Sequence, residues 1–306
     1  MGMRLSGSPA DFDSASAPAS DLWLSLLPFQ TMLDLHSHTT YSDGTLTPQQ
    51  LVETVAPAGI RALAISDHDT IAGWDEAIAA GDTVGVEIVP AVELSTVYNG
   101  RSLHILGFYP DRDQIEAPLR DRRDGRHQRA QEMIDRLAAL GYPVTLPEFG
   151  AGIAPSRPHI ASAMVAAGYV RDNQEAFARF LGDDGPVYVD YPKFSAAEGI
   201  ALIRDCGGVP IWAHPYLFRG GWVDEVFPEL HQAGLMGLEV HHPHQGRKQI
   251  AHLNQLCQDH NLIATGGTDY HGPAPGKPTH YPAQHTIDLD VLDRLKALRT
   301  PGAAIA

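Results

Sequence analysis

The chain has 306 residues, 43% hydrophobic and 19% charged, which suits one large domain or a large domain carrying a smaller one. No apolar run approaches the roughly 18 residues that span a bilayer. A formal net charge of −15 argues against a duplex-binding module. The only two cysteines, Cys206 and Cys257, point to a reducing compartment, the cytoplasm.

The first 31 residues are rich in Ser, Ala and Pro and read as a poorly ordered extension. The apolar stretch Leu22 to Phe29 follows Asp11, Asp13 and Asp21 and lacks a small-residue cleavage site, so it does not read as a signal peptide. Leu33–Leu35 then leads into a loop. Thr47 caps a helix with Pro48 in its first turn, and Gly59 ends it. Ala62–Ile65 is a buried strand, and a helix follows near Trp74–Ala80. Glu87–Val92 and Leu103–Phe108 are further strands. This rhythm predicts parallel strands joined by crossover helices. Residues from about 111 to 195 are mostly helical and charged. Strands return at Val209–Ala213, Gly237–His241 and Leu262–Gly266. The expected organisation is an α/β barrel-like core, 32–110 and 196–306, interrupted by a mainly helical domain, 111–195, that caps the substrate.

Candidate chemistry sits where strands give way to loops, the active face of barrel folds. His36 and His38, two apart, can share one face of a strand. Asp43 follows in the loop. His68 lies in Asp67-His68-Asp69, after the Ala62–Ile65 strand. Glu93, His104, His214, Asp269 and His271 occupy comparable places later in the chain. Nitrogen and oxygen donors without cysteine suit Zn2+, Mn2+ or Fe2+. Nine candidates exceed what one ion can use, so two or three divalent ions with a bridging carboxylate are expected.

These motifs resemble those of the PHP-domain (polymerase and histidinol phosphatase) metallo-phosphoesterases. They are His36-Ser37-His38, Asp67-His68-Asp69, Glu93, His104, His214-Pro215 and Gly267-Thr268-Asp269-Tyr270-His271. The resemblance implies a distorted (β/α)7 TIM-like barrel. It assigns one metal to His36, His38, Glu93 and Asp269, a second to Glu93, His104 and His214, and a third to Asp43, His68 and His271. Many members of the family have His at the place of Asp43.

Ser156-Arg157-Pro158-His159 resembles the Arg-x-His of nucleotide phosphatases in this family, and Arg126 and Arg129 resemble arginines at the start of their insert. The activity implied is removal of the 3′-phosphate from 3′,5′-bisphosphonucleosides, with trimming of short 5′-phosphorylated RNA as a second activity. Attack would come from a hydroxide bridging the metals. Asp269, His159 and Arg157 are the expected catalytic residues, and Arg157, His159, Arg126 and Arg129 the expected phosphate contacts. Arg120–Arg129 also reads as a solvated helix face. His241, His242 and His244 read as rim residues or outer support, and Glu239 as a strand residue. Competing readings are a histidinol-phosphate-type or other small-molecule phosphatase, and a non-catalytic metal-stabilised scaffold. No membrane or protein partner is indicated.

Overall fold

The computed structural model describes residues 32–149, 153–190, 194–273, 287 and 290–299. The extension expected over residues 1–31 lies outside them. Seven strands form one sheet in chain order: β1 (Met32–Asp34), β2 (Ile60–Ile65), β3 (Glu87–Tyr98), β4 (Arg101–Phe108), β5 (Val209–Trp212), β6 (Gly237–His241) and β7 (Ile263–Gly266). Beyond the strand ends the sheet closes on itself. Leu35 N–H donates to the Gly266 carbonyl at 3.1 Å, Asp269 N–H donates to the His36 carbonyl at 2.9 Å, and Ser37 bridges Tyr270 in parallel. The result is a distorted barrel whose first and last strands meet.

Alternation along the strands sorts the apolar residues. Leu33, Leu35, Ala62, Ala64, Val89, Ala91, Leu106, Phe108 and Ile211 pack with one another on the inner face. Val291, Leu292 and Leu295 of helix α9 (Asp290–Leu298) join them. The opposite face, with Leu63, Ile65, Val92, Leu94, Ile105 and Trp212, packs in a second cluster beneath the surrounding helices. Among those helices are α1 (Pro48–Val55) and α2 (Trp74–Val84). Thr47 caps α1 as its sequence predicts, and Gly59 ends the following turn at φ 89°.

Strand β4 departs from the all-parallel expectation. It pairs antiparallel with both β3 and β5. The cause is local: Asn99 and Gly100 both adopt positive φ, 49° and 70°, and fold β3 directly back on β4. Asn-Gly is the preferred pair for such a two-residue turn. Because β4 runs backwards, its N-terminal half, carrying His104, reaches the same barrel mouth that parallel strands approach with their C-terminal ends.

Between β4 and β5 the chain builds helices α3 (Arg112–Ala139), α4 (Arg157–Ala166), α5 (Asn173–Ala176) and α6 (Ala196–Asp205). Met133 and Leu137 of α3, Ile160 and Met164 of α4, and Phe180, Leu181 and Val187 form an apolar cluster of their own. After β5 the barrel is completed by α7 (Val223–Gln232) and α8 (Arg247–Asp259).

Candidate metal centre

Glu93, buried on β3, is surrounded by imidazoles. Its Oε2 lies 3.2 Å from His36 Nε2, 3.1 Å from His38 Nε2 and 3.2 Å from His68 Nδ1. Its Oε1 lies 2.8 Å from His104 Nδ1 and 3.1 Å from His214 Nε2. The five rings close a circuit. Successive centroids are 5.1 Å apart for His36 and His38, 4.7 Å for His38 and His68, 5.0 Å for His68 and His104, 5.3 Å for His104 and His214, and 5.7 Å for His214 and His36.

Asp269 Oδ1 joins one side of this circuit, 3.3 Å from His36 Nε2 and 3.2 Å from His38 Nε2, with the two nitrogens 3.1 Å from each other. His36 bonds Glu239 Oε1 through Nδ1 at 2.9 Å, so in the neutral ring Nε2 is a bare lone pair. Several electron-rich atoms thus face one point and repel unless positive charge lies among them. A regular tetrahedron with edges of this length has corners about 2 Å from its centre, the reach of a Zn–N bond. Asp43 marks a neighbouring point: its Oδ1 is 3.3 Å from His271 Nε2 and 3.7 Å from His38 Nδ1, and its Oδ2 is 3.8 Å from His68 Nε2. Asp43 Oδ1 and His68 Nδ1 are buried without a hydrogen-bond partner, a cost that a bound cation would relieve.

Among the described residues, three groups have the donor chemistry and spacing for an ion: His36, His38, Glu93 and Asp269; His68, Glu93 and His104; and His38, Asp43, His68 and His271. The first is the set implied by the family resemblance. In the second, His68 stands where His214 was implied, although His214 still touches Glu93. In the third, His38 joins the implied set. The sets overlap because His38, His68 and Glu93 lie between them.

Charge in this cluster is mutually sustained. Burial disfavours ionisation throughout, but Glu239, Glu93 and Asp269 outweigh it at His36 and hold that ring well above its ordinary value. His38 is likewise raised to about 10 against its burial, by Asp269 and Glu93. The histidines in turn hold Glu93, Asp43 and Asp269 well below the usual carboxylate range despite burial. His68 is the exception: burial wins there and lowers it to about 3.

Residues outside the ligand groups fix the geometry. Glu239, whose sequence suggested only a strand position, bonds His36 Nδ1 through Oε1 and accepts from the His214 backbone N–H through Oε2 at 2.7 Å. It orients one candidate ligand and the loop of another. Its only sequence signal was a carboxylate within a strand that ends at the mouth. Asp34 accepts from the backbone N–H groups of His36 and Thr268 at 3.2 and 2.9 Å. Asp67 accepts from Thr39 and Ser42, which holds the loop bearing Asp43. Gly267 is required by close approach, since a Cβ there would lie 2.3 Å from His36 Cβ. His214 and Asp269 both sit at left-handed φ, 32° and 53°, a strain typical of functional positions.

Of the histidines read as rim residues, His242 and His244 stay together, with ring centroids 5.5 Å apart. His242 is buried with Nε2 3.6 Å from Asp269 Oδ2, whereas His244 is exposed. The run Arg120–Arg129 is only in part the solvated face that its charge suggested, with Arg120, Asp121, Asp124 and Gln128 exposed. Arg122, Arg123 and Arg126 are buried, and Arg122 Nε and Arg126 Nη1 clamp Asp69 at 3.0 and 2.8 Å. Arg126 also donates to the His68 carbonyl at 3.3 Å, which ties α3 to the cage. Arg129 and Arg157 make contacts within the helical segment: Arg129 donates to the Val189 carbonyl at 2.7 Å, and Arg157 pairs with Asp183 at 2.6 Å. His159, on α4, is lowered from its ordinary value by burial, a shift that Asp43 opposes and Arg126 reinforces.

Residues 34–113 match the PHP domain family. The chain is 34% identical over 247 residues to a 5′-3′ exoribonuclease of Haemophilus influenzae, covering 78% of this chain and 90% of the relative. It is 30% identical over 275 residues to a 3′,5′-nucleoside bisphosphate phosphatase of Chromobacterium violaceum, covering 86% and 94%. A crystal structure of a Bifidobacterium adolescentis protein described as a metal-dependent phosphoesterase superposes with a TM-score of 0.80 at 32% identity, over 89% of this chain and 98% of the other. Relatedness of this extent, spanning barrel and helical segment alike, places the chain in the PHP domain family as a metal-dependent phosphoesterase.

Proposed function

We propose that this enzyme hydrolyses phosphate monoesters of small nucleotides, with the 3′-phosphate of 3′,5′-bisphosphonucleosides as the first substrate and short 5′-phosphorylated RNA as the second. The observation that carries this reading is the circuit of five imidazoles around Glu93, flanked by Asp43 and Asp269. His36, His38, Asp43, His68, Glu93, His104, His214, Asp269 and His271 would hold two or three Mn2+, Zn2+ or Fe2+ ions. Such ions lower the pKa of a coordinated water and offset charge on phosphoryl oxygens. The protein's own part is placement. Glu239 and Asp34 hold the ligand loops, and Arg126 and His159 would supply the phosphate contacts from the helical segment. Arg129 and Arg157 add positive potential from positions already tied to Val189 and Asp183.

Support for nucleotides comes from the relatives, a nucleotide phosphatase and a ribonuclease whose similarity runs through the helical segment. Two free, buried cysteines accord with the cytoplasm. The test is phosphate release by metal-stripped protein refilled with Mn2+, Zn2+ or Fe2+. The panel is 3′,5′-bisphosphoadenosine, a 5′-phosphorylated oligoribonucleotide and histidinol phosphate. The bisphosphate should be fastest and histidinol phosphate slowest. Refilled protein that releases phosphate from neither nucleotide would overturn the proposal.

A further inference from the structure

We propose that Tyr216, His252 and Asp224 form a hydrogen-bonded latch that positions His214, so that this corner of the cage is set by helices outside the barrel. The effect of the latch on metal rests on the reading of the cage above; its hold on the backbone does not. His214 adopts φ 32° and ψ 62°, a left-handed conformation that residues with a Cβ resist. Pro215 follows it and narrows the choice further, because a residue before proline is turned toward extended conformations. Such a backbone persists only where its surroundings over-determine it. Part of the hold comes from the barrel. Ala213 N–H donates to the His104 carbonyl at 3.1 Å, and His214 N–H donates to Glu239 at 2.7 Å. Beyond His214 the chain makes one short turn, Pro215–Leu217, with Leu217 N–H donating to the His214 carbonyl at 2.9 Å.

Tyr216, in the middle of that turn, is gripped at both ends. Its backbone N–H donates to Oε1 of buried Gln245 at 3.4 Å. The Gln245 amide nitrogen donates in turn to the carbonyls of Glu239 and Val240 at 3.1 and 2.8 Å. Its phenol oxygen lies 2.6 Å from His252 Nδ1 on α8, and His252 Nε2 lies 2.9 Å from Asp224 Oδ1 on α7. A carboxylate only accepts, so Nε2 carries a proton. In the neutral ring Nδ1 then presents its lone pair and accepts the Tyr216 O–H. Asp224 orients the imidazole as carboxylates do behind metal-bound histidines, but here the group held is a phenol. None of the three is a member of a candidate ion group. What they hold is the turn behind the His214 ring, whose Nε2 lies 3.1 Å from Glu93 Oε1, with His104 Nδ1 2.8 Å from the same oxygen. Rotation of the backbone at His214 would swing that nitrogen away from the shared carboxylate.

The experiment compares Tyr216→Phe, His252→Ala and His252→Gln with the parent. In the metal-free proteins, hydrogen exchange at the His214 and Leu217 amides should run several-fold faster in Tyr216→Phe and His252→Ala, for the loss of about one hydrogen bond, while amides of β2 and β7 exchange as in the parent. In a competition titration, one Zn2+ ion should bind roughly tenfold more weakly in these two variants and the remaining zinc as in the parent. With 15N-labelled histidine, the His214 ring signal should reach its zinc-bound position only at correspondingly higher zinc. His252→Gln, whose amide oxygen can accept from Tyr216 and whose amide nitrogen can donate to Asp224, should restore most of both properties. Parent-like exchange and zinc affinity in Tyr216→Phe and His252→Ala would overturn the proposal. So would faster exchange spread over the whole barrel, or a His252→Gln protein no better than His252→Ala. If the parent itself takes up no zinc, the metal reading fails, and the exchange measurement still decides the latch.

Discussion

Glu239 contributes no atom to the three candidate ion groups, yet it grips two of the residues around Glu93. One oxygen takes His36 Nδ1 and the other takes the backbone of His214. Replacement by Gln keeps the shape but removes the charge that fixes the His36 tautomer. Partners of this kind typically change metal affinity by about 10- to 100-fold. Glu239→Gln should therefore bind Zn2+ that much more weakly in a competition titration while keeping its fold by circular dichroism. Unchanged affinity would remove Glu239 from the centre. At this scale the sequence exposed the candidate ligands because most lie at or just past the ends of the apolar runs, though Glu93 and His104 fall inside β3 and β4. Glu239 read only as a strand residue, and Asp34 was not singled out, because a carboxylate inside a strand looks alike whether it supports a histidine or faces solvent. Arg122 and Arg126 were harder still, since burial of a charged helix face depends on Asp69, far away in sequence.

At the level of elements, α3 is fastened to the barrel by that same Asp69. Burial alone would raise its carboxyl, but Arg122 and Arg126 hold it well below the usual range. A carboxylate so lowered adds stability that is complete above its unfolded value, near pH 4, and is lost as pH falls toward the folded value. Asp69→Asn leaves two buried guanidinium groups short of a counter-charge, a change that typically costs about 3–5 kcal/mol. Metal-free Asp69→Asn should unfold at clearly lower urea concentration at pH 7, and the gap from the parent should narrow below about pH 4. An identical urea midpoint at pH 7 would show that the clamp contributes nothing. Strand order was readable from the apolar runs, but the direction of β4 was not. The hairpin signal Asn99-Gly100 was present; the β-α rhythm on either side masked it.

Across the whole molecule, the metal-free cage should be a store of protons. His36, His38, His214 and His271 all lie above their ordinary value against the pull of burial, because carboxylates surround them. The stability His38 adds is full below its ordinary value of 6.5 and disappears as pH rises through about 10. His68, lowered to about 3 by burial, acts in the opposite sense: its contribution is present above 6.5 and fades as pH falls toward 3. Metal binding requires neutral imidazoles and so must expel the stored protons. Adding Zn2+ to stripped protein in weak buffer near pH 7.5 should release more than about one proton per ion, measured by pH-stat. Uptake without acidification would mean that the ions bind elsewhere.

The seam where Leu35 and Ser37 meet Gly266 and Tyr270 joins the β1 end of the sheet to the β7 end. A ribosome delivers His36 and His38 early, and Asp269 and His271 only after nearly the whole barrel has emerged. The nascent polypeptide is thus an incomplete chelator throughout translation. Metal capture by these residues would be the closing act of biogenesis, and fragments released before β7 lack the Asp269 and His271 corners of the cage.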